Sequence, residues 1–475
     1  MSLTDLSIQE LREKLDKKEI SSVELCKEYI KNIEKDSHHE KPLNALITLC
    51  NDMALSMAEK ADERIAAGES APLLGIPIII KDNINVKGVS SSCASGILDG
   101  YLASFNATVS NRLQEAGAVF LGKANMDEFA MGSSSEHSVK GAVRNPVDRD
   151  RSPGGSSGGS AAVVKANWAP ASLGSDTGGS IRQPAAFCGV YGMKPTYGRV
   201  SRYGLIAYSS SLDQIGPFAN NIHDLALILE TISGHDPLDS TSSSEPVPKY
   251  SASLDKDIKG LKVGIAKEYM SDSLDESVRK KVDETVDQLR DLGCEIKEIS
   301  LPHSEYGIPC YYIIATAEAS SNLSRFDGIR YGRRVESENL HDTFLNTRSA
   351  GFGDEVKRRI ILGTYVLSSG YYDAYYLKAQ KVRSLIKGDF VKAFSEVDLL
   401  ITPTSPSTAF KIGEKLDDPL QMYLSDIYTV NLNLAGLPGI SIPRGTDDSG
   451  LPVGVQLIGN YFKEELILNV ASKLE

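Results

Sequence analysis

The stretch of the chain that decides its fold lies between residues 152 and 184, and it holds two segments rich in glycine and serine. Residues 152–162 read SPGGSSGGSAA, and residues 174–184 read GSDTGGSIRQP. Composition of this kind usually marks a flexible linker. Here the apolar run AAVV (161–164) continues directly from the first segment, and the second segment begins within one helix length of it. We therefore predict a turn–helix–turn unit inside a folded core.

The serines of these segments have no histidine nearby, because residues 152–184 contain none. Serine is a poor nucleophile unless a base removes its proton, and a buried lysine is the main alternative base. Residues 73–81 read LLGIPIIIK, which predicts a buried strand that ends at Lys81. Burial disfavours the ammonium form, so Lys81 would become available as a neutral base. The competing interpretation is a strand-end lysine that reaches solvent.

Two registers of the first segment match the G-x-S-x-G pattern of α/β-hydrolases, one centred on Ser156 and one on Ser157. Such an enzyme also needs a histidine later in the chain. The later histidines lie in polar or loop-like contexts: His223, His235, His303 and His341. A phosphate-binding loop fits less well, because Ser160 follows Gly159 where that motif requires Lys-Ser/Thr. Neither pattern accounts for the second segment.

The second segment offers successive backbone amides that large side chains do not obstruct. The amides of Thr177, Gly178 and Gly179 could point at one spot and form an oxyanion hole for a tetrahedral intermediate. Ser180 closes this turn and is well placed to attack a carbonyl carbon. A turn that serves packing alone is the competing interpretation.

The composition is that of a soluble globular chain of 475 residues, a length typical of about two or three domains. The net charge of −12 excludes a bulk electrostatic preference for nucleic acid or anionic membranes. The first residues lack the layout of a secretory signal, and no apolar run reaches the roughly 20 residues that span a bilayer. The six cysteines are scattered, which is typical of reduced thiols. We expect a cytoplasmic protein without a metal site.

The remaining sequence alternates between helical and strand patterns, which predicts an α/β fold. Serine–glutamate capping boxes at 7–10 and 21–24 open two helices, and a third is predicted at 51–67, so residues 1–67 form a helical N-terminal part. Residues 236–256 are rich in serine, proline and aspartate, and we predict a long surface excursion there.

Three motifs taken together resemble those of the amidase-signature family. They read GIPIIIKDN (75–83), GGSSGGS (154–160) and GSDTGGSIRQPAAFCG (174–189). The resemblance implies one large mixed β-sheet covered by helices on both faces. It also implies a single amidase domain over residues 1–475, in place of the several that length suggests.

The same resemblance implies hydrolysis of amides by a Ser–cis-Ser–Lys triad. The strand-end lysine of the family corresponds to Lys81, the bridging serine to Ser156 and the nucleophile to Ser180. The family's oxyanion amides correspond to those of residues 177–180.

Further motifs narrow the resemblance to one subgroup of that family, the glutaminase subunits of glutamyl-tRNA(Gln) amidotransferases. They read GKANMDEFAMGS (122–133), SLDQIGP (211–217), SNLSRFDGIRYG (321–332) and NLAGLPG (433–439). In that subgroup a tyrosine, an arginine and an aspartate hold glutamine, and the matching positions are Tyr311, Arg359 and Asp426.

This assignment is chemically sensible, because a free amino acid presents a carboxylate that suits a bidentate arginine and an ammonium that suits an aspartate. Without the resemblance, ion pairs on helix surfaces would be the better interpretation of Arg359 and Asp426. The preference for Arg359 over its neighbour Arg358 rests on alignment with the subgroup.

The resemblance also implies partners. Ammonia from glutamine would pass to a tRNA-binding kinase/transamidase partner, which uses ATP and Mg²⁺ to activate Glu-tRNA(Gln) or Asp-tRNA(Asn). A small third polypeptide would complete the complex. This chain would need no cofactor, would contact tRNA mainly through its partner, and would not contact a membrane. The alternatives are a stand-alone amidase for small amides and a catalytically silent scaffold, but the intact Lys81, Ser156 and Ser180 set argues against silence.

Overall fold

The computed structural model of the chain describes residues 2–271 and 273–475. Within these residues eleven strands form one sheet: β1 (Leu46–Leu49), β2 (Pro77–Lys81), β3 (Val119–Ala124), β4 (Ala171–Asp176), β5 (Tyr191–Lys194), β6 (Gln214–Ala219), β7 (Lys262–Ala266), β8 (Glu295–Ile299), β9 (Leu399–Pro403), β10 (Gly439–Thr446) and β11 (Pro452–Gly459). The strand order across the sheet is β1-β3-β2-β4-β6-β5-β10-β11-β9-β7-β8, with parallel and antiparallel neighbours mixed.

The α-helices of the described residues are α1 (Ile8–Asp16), α2 (Ser22–Asp36), α3 (Asn51–Ala66), α4 (Thr108–Glu115), α5 (Gly158–Lys165), α6 (Arg182–Cys188), α7 (Ile222–Ile232), α8 (Glu276–Asp291), α9 (Gly307–Asn322), α10 (Leu340–Gly351), α11 (Asp354–Leu367), α12 (Lys378–Ala393), α13 (Pro419–Leu424), α14 (Val430–Ala435) and α15 (Glu464–Lys473). The predicted capping boxes are confirmed, because the side chains of Ser7 and Ser21 each accept the N3 backbone hydrogen bond at the start of α1 and α2. None of the helices in this part of the chain combines the length and the apolar character needed to cross a membrane.

Helices cover both faces of the sheet, and each face has its own apolar core. Side chains alternate between the two faces of a strand, and in β9 Leu399 and Ile401 join one core while Leu400 joins the other. The first core includes Leu229 of α7, and the second includes Ile386 of α12. The predicted α/β class, with one large mixed sheet between two helical layers, is confirmed.

The segment 236–256, all of which is described, contains one short 3₁₀ turn and no strand or α-helix. Its first residue, Asp236, is buried and accepts hydrogen bonds from the hydroxyls of Thr108 and Ser201. These two contacts tie the start of the segment to the body of the protein.

The strand β4 differs from the prediction of a simple turn–helix–turn unit, because the chain crosses the sheet between α5 and the second glycine-rich turn. Its sequence, ASLGSD, lacks the β-branched residues that favour strands. The small residues have a structural reason, since a Cβ on Gly174 would lie 2.6 Å from the ring of Phe218 and 2.9 Å from Ser157 Oγ. Because close packing requires small residues here, the sequence of β4 lacks the pattern that predicts a strand.

The pairing of β2 with β4 creates the candidate site. The two strands are parallel neighbours, with Ile80 opposite Leu173. The carboxyl ends of parallel neighbours meet at the same edge of a sheet. Lys81, the last residue of β2, and the turn that follows β4 are consequently brought together.

Candidate active site

Lys81 is completely buried and lies at the centre of a cluster of serines. Its Nζ donates hydrogen bonds to Ser157 Oγ at 2.7 Å, to Ser156 Oγ at 2.8 Å and to Ser175 Oγ at 3.0 Å. The buried strand predicted over residues 73–81 is observed as Pro77–Lys81, with every residue buried and its end at Lys81 as predicted. The lysine is therefore not a strand-end residue that reaches solvent, and it contacts the serine assigned as its partner.

Burial lowers the pKa of Lys81 from its ordinary value to about 7, although the carboxylates of Asp127, Asp176 and Asp213 oppose the shift. Removal from water disfavours the ammonium, and this effect outweighs the attraction of the three carboxylates. A lysine with a pKa near neutrality has a substantial population of free amine at physiological pH. The environment thus produces the neutral base that the chemistry requires.

Ser156 follows a cis peptide bond between Gly155 and Ser156, as the resemblance implied for the bridging serine. The chain passes very close to its neighbours here. A Cβ on Gly155 would lie 2.1 Å from Asp127 Oδ2 and 2.7 Å from the backbone nitrogens of Ser134 and Ser135. Glycine at 155 is therefore required sterically, which explains part of the glycine content of the first segment.

The two glycine-rich turns are in direct contact, because the backbone N–H of Ser157 donates to the carbonyl oxygen of Ser180 at 3.2 Å. Ser180 is almost entirely buried, with 7% of its surface exposed. Among residues 2–271 and 273–475, no hydrogen bond joins the hydroxyls of Ser156 and Ser180. The proton relay between these two serines stays a prediction.

Asp176 organises the second turn. Its Oδ1 accepts the backbone N–H of Gly179 at 2.8 Å, and its Oδ2 accepts that of Ile181 at 3.1 Å. The Gly179 amide is thus already engaged, which corrects its assignment as an oxyanion donor. The spacing of residues in the sequence does not reveal that the Gly179 amide donates to this carboxylate. The amides of Thr177, Gly178 and Ser180 stay predicted oxyanion donors.

Arg182 holds Asp176 in place, and both side chains are completely buried. Arg182 donates to both carboxylate oxygens, from Nη2 at 3.0 Å and from Nε at 3.1 Å. Burial alone would raise the pKa of Asp176, but the charge and hydrogen bonds of Arg182 lower it to about 2. The same guanidinium also donates to Asn433 and Gln456. Sequence reasoning missed this pair, although both residues lie inside the second glycine-rich segment (174–184).

Replacing Arg182 with methionine should destabilise the fold strongly. The substitution leaves the carboxylate of Asp176 buried without its cation, and removing one partner of a buried ion pair costs about 3–5 kcal/mol. Chemical denaturation would measure this as a lower free energy of unfolding. The matched control is Arg290→Met, in the exposed pair of Arg290 with Asp287, where we expect a loss of at most about 1 kcal/mol. Equal losses in the two variants would contradict this account.

The predicted glutamine-binding residues contact Gly132, Ser133 and Gly178. Arg359 of α11 is buried, with 1% of its side chain exposed, whereas the side chain of Arg358 is 46% exposed. Arg359 donates to Gly132 O at 2.7 Å and to the hydroxyl of Tyr208 at 2.9 Å. The structure therefore directs Arg359, and not Arg358, towards the site.

Arg359 is also held by a carboxylate and by aromatic rings that sequence reasoning did not single out. Its Nε donates to Glu355 Oε1 at 2.8 Å, and the hydroxyl of Tyr423 donates to the same oxygen at 2.9 Å. The guanidinium carbon lies 5.2 Å from the ring centre of Tyr312 and 5.3 Å from that of Tyr423, within cation–π range. The i, i+4 spacing of Glu355 and Arg359 on one helix was the available signal.

Tyr311 lies directly over the second turn. A Cβ on Gly178 would lie 2.6 Å from Tyr311 Cζ and 2.7 Å from its hydroxyl oxygen. Only glycine at 178 lets the ring approach so closely. Tyr311, one of the predicted glutamine-binding residues, is therefore in contact with the predicted oxyanion turn.

Asp426 has one carboxylate oxygen engaged and one unused. Oδ2 accepts a hydrogen bond from the hydroxyl of Ser133, and Oδ1 is buried without a partner among the described residues. Burial raises the pKa of Asp426 to about 7, against the hydrogen bond from Ser133 and the charge of Arg359. An unpaired buried carboxylate oxygen is costly, so this atom is suited to receive a cationic group.

The histidine-based triad of α/β-hydrolases does not form around Ser156 or Ser157 in the described residues. The ring of His303 pairs with Asp389 at 2.9 Å, and the base in contact with Ser156 is Lys81. A buried lysine beside a cis-serine, next to a glycine-rich turn that ends in serine, is the arrangement of a serine amidase.

Comparison with known proteins agrees with this geometry. The sequence model of the amidase family matches residues 24–468, and the chain belongs to the amidase family.

Within that family the chain is similar to proteins named as the A subunit of glutamyl-tRNA(Gln) amidotransferase. The one from Thermoanaerobacter pseudethanolicus is 58% identical, and the match covers 100% of this chain and 97% of that protein. The crystal structure of the protein of that name from Thermotoga maritima is 42% identical, with a TM-score of 0.81 and coverage of 100% and 95%. A peptide amidase solved with the inhibitor chymostatin is more distant, at 30% identity, a TM-score of 0.84 and coverage of 98% and 96%.

Proposed function

We propose that this chain is the glutamine-hydrolysing subunit of a tRNA-dependent amidotransferase, and that residues 1–475 form one amidase domain. The observation that carries the proposal is the buried Nζ of Lys81 within hydrogen-bonding distance of Ser156, on a loop that contacts Ser180. The single continuous sheet supports one domain. The similarity to amidotransferase proteins over the whole chain supports its place in such a complex.

The proposed reaction begins with neutral Lys81. It accepts a proton from Ser156, which accepts one from Ser180, and Ser180 Oγ attacks the side-chain carbonyl carbon of glutamine. The oxyanion forms against the amides of Thr177, Gly178 and Ser180. As the C–N bond breaks, the proton returns through Ser156 to the leaving nitrogen, which departs as ammonia and leaves a glutamyl ester on Ser180. Water then hydrolyses the ester to glutamate and restores the serine.

Recognition of the free amino acid is assigned to the second group of residues. In the described structure the bonds of Arg359 leave one hydrogen on each Nη, and together they suit the two oxygens of an α-carboxylate. The free Oδ1 of Asp426 suits the α-ammonium. Tyr311, next to Gly178, would orient the side-chain amide at the point of attack.

Substitution of Glu355 by glutamine should weaken glutamine binding without impairing the chemical step. The change removes the carboxylate that Arg359 and Tyr423 share, so the guanidinium loses a charge-assisted anchor. We expect KM for glutamine to rise about tenfold, which corresponds to about 1.4 kcal/mol, with kcat nearly unchanged. Steady-state kinetics of ammonia release would measure both constants.

The matched control is Arg358→Gln, which removes the outer partner of Glu355 and leaves Arg359 in place. Its KM should stay at the wild-type value. Hydrolysis of glutaminamide, which lacks the α-carboxylate, should be insensitive to Glu355→Gln. A loss in kcat with unchanged KM would contradict the positioning role of Glu355.

The proposal extends to the whole complex. Ammonia would be consumed by a tRNA-binding kinase/transamidase partner that uses ATP and Mg²⁺, with Glu-tRNA(Gln) as acceptor and Asp-tRNA(Asn) as an alternative. A small third polypeptide would complete a cytoplasmic heterotrimer. The net charge of −12 supports a division of labour in which the partner makes most tRNA contacts. The names of the similar proteins, which denote one subunit of several, support a complex.

The deciding experiment is ammonia release by the full chain, alone and co-purified with co-expressed partners. Glutamine should be preferred over amides that lack both α-groups by at least about 10²-fold, because a site built to bind polar groups rejects substrates without them. Equal turnover of a hydrophobic amide would instead favour a stand-alone amidase. The peptide amidase among the similar structures makes that the relevant alternative.

A further inference from the structure

Asp213 belongs to the motif SLDQIGP (211–217), and the proposed reaction gives it no role. It directly precedes β6, whose first residue, Gln214, pairs with Asp176 at the end of β4. The predicted oxyanion turn begins immediately after Asp176, so this pairing places Asp213 beside the turn. The residue is buried, with 2% of its surface exposed.

The two oxygens of the Asp213 carboxylate bind two different parts of the site. Oδ1 accepts a hydrogen bond from the hydroxyl of Thr177, the first residue of the oxyanion turn, at 2.7 Å. Oδ2 accepts the backbone N–H of Tyr208 at 3.0 Å, and the hydroxyl of Tyr208 accepts a hydrogen bond from Arg359 at 2.9 Å. The backbone N–H of Ser209 is shared between the two oxygens, at 3.1 Å from each. The carboxylate therefore joins the turn to the loop that contacts the predicted glutamine-binding arginine.

The position of Asp213 requires a side chain that only accepts hydrogen bonds, because the hydroxyl and the two backbone N–H groups around it are all donors. An ionised carboxylate accepts at both oxygens, whereas an asparagine amide would direct an NH₂ group at one of these donors. Burial raises the pKa of Asp213 to about 6, against the hydrogen bond from Thr177, so the carboxylate is ionised at neutral pH. Burial of a charge is costly unless an opposite charge pairs with it, and these donors are neutral. This indicates a role in the site and not in the stability of the fold.

We propose that Asp213 is a positioning residue, which aligns the predicted oxyanion turn with the predicted glutamine-binding residues. Through Oδ1 it fixes Thr177, and with it a backbone amide that receives the oxyanion. Through Oδ2 it fixes Tyr208, and with it the guanidinium of Arg359 that receives the α-carboxylate. Preorganised donors stabilise the transition state of acyl transfer, and a fixed substrate position lowers the barrier further. This inference rests on the proposed glutaminase function of the same site.

Two substitutions separate the two contacts of the carboxylate. Thr177→Val removes the hydroxyl and keeps the shape of the side chain. We expect kcat for glutamine to fall about tenfold with KM unchanged, since a displaced oxyanion donor should cost less than the roughly 10²-fold or more lost when a donor is removed. Thr177→Ser, which restores the hydroxyl, should keep the wild-type kcat. Tyr208→Phe removes an acceptor of Arg359 and should raise KM about tenfold with kcat nearly unchanged.

Asp213→Asn affects both contacts, so it should lower kcat and raise KM together. Steady-state ammonia release by the full chain, co-purified with its co-expressed partners, would measure both constants. The matched control is Glu318→Gln. Glu318 holds the same loop, because its carboxylate accepts the hydroxyl of Ser209 at 2.6 Å and the N–H of Ser211 at 2.9 Å. Its kcat and KM should stay at the wild-type values.

Thermal unfolding would verify that each variant is folded, and Thr177→Val decides the test if Asp213→Asn is not. Wild-type kcat in Thr177→Val overturns the proposal. A loss in Glu318→Gln equal to that in Asp213→Asn also overturns it, because the loop and not the carboxylate would then be responsible. If glutamine hydrolysis depends on Ser180 but not on these substitutions, only the role of Asp213 is wrong. Absence of hydrolysis that depends on Ser180 would overturn the proposed function as well.

Discussion

Replacement of Ser180 by alanine is expected to lower kcat for glutamine hydrolysis by about 10⁴-fold or more, the scale seen when a serine nucleophile is removed. The serine oxygen forms the covalent glutamyl ester, and no other group takes its place. KM should change little, because the predicted glutamine-binding side chains stay in position. Ammonia release at saturating glutamine would measure the effect.

The matched control for Ser180→Ala is Ser160→Ala. Ser160 is a buried serine of the first glycine-rich segment, and its hydroxyl donates to the carbonyl of Leu173, away from Lys81. We expect this variant to retain near-wild-type kcat when folded. If Ser180→Ala kept substantial glutamine turnover, the nucleophile assignment would be wrong. Trapping of a glutamyl ester on the wild-type chain, absent in Ser180→Ala, would provide independent support.

The second large effect concerns Lys81 and pH. Burial lowers the pKa of Lys81 to about 7, and only the neutral amine accepts a proton. The reactive fraction should therefore rise as pH increases through about 7 and level off above it. Below that value kcat should fall about tenfold for each pH unit, because protonation of a single base inactivates it. The dependence appears in kcat because kcat reports the groups of the enzyme–substrate complex. Lys81→Met should lower kcat by about 10³-fold or more and remove this dependence.

Asp426 also has a pKa raised by burial to about 7, so its titration must be separated from that of Lys81. Protonation of Asp426 removes the partner of the α-ammonium and should raise KM at low pH. In the complex the bound ammonium favours the charged carboxylate and lowers that pKa, so Asp426 should affect kcat/KM and not kcat. Asp426→Asn should abolish the low-pH change in KM and keep the kcat profile. A kcat profile that is flat across pH 7 in the wild type would contradict the lysine base.

Much of the site follows from local sequence. An isoleucine-rich run that ends in lysine predicts a buried strand with a polar end, and Lys81 lies there. Glycine-rich turns predict close approach of the backbone, and Gly155 and Gly178 both lie where a Cβ would clash. Strand β4 was missed because its small residues reflect packing against Phe218 and Ser157, which local propensity does not encode.

The interactions that tune the site come from distant parts of the chain. Ser175, which contacts Lys81, lies 94 residues away in sequence, and Gln456, which contacts Arg182, lies 274 residues from it. Neither contact has a local signature. They arise because β2 and β4 are parallel neighbours and because α14 and β11 pack close to Arg182, the residue at the start of α6.

The sequence by itself determined the class of fold, through its alternating strand and helix patterns, and the three groups of the proposed triad, through the motifs it shares with the amidase family. Both depend on residue type and on order along the chain. The tertiary structure alone decided that the Gly179 amide is already bound by Asp176, that Arg359 and not Arg358 is buried, and that one oxygen of Asp426 is left without a partner. Hydrogen bonding and desolvation act over a few ångströms in space, and chain order does not specify those distances.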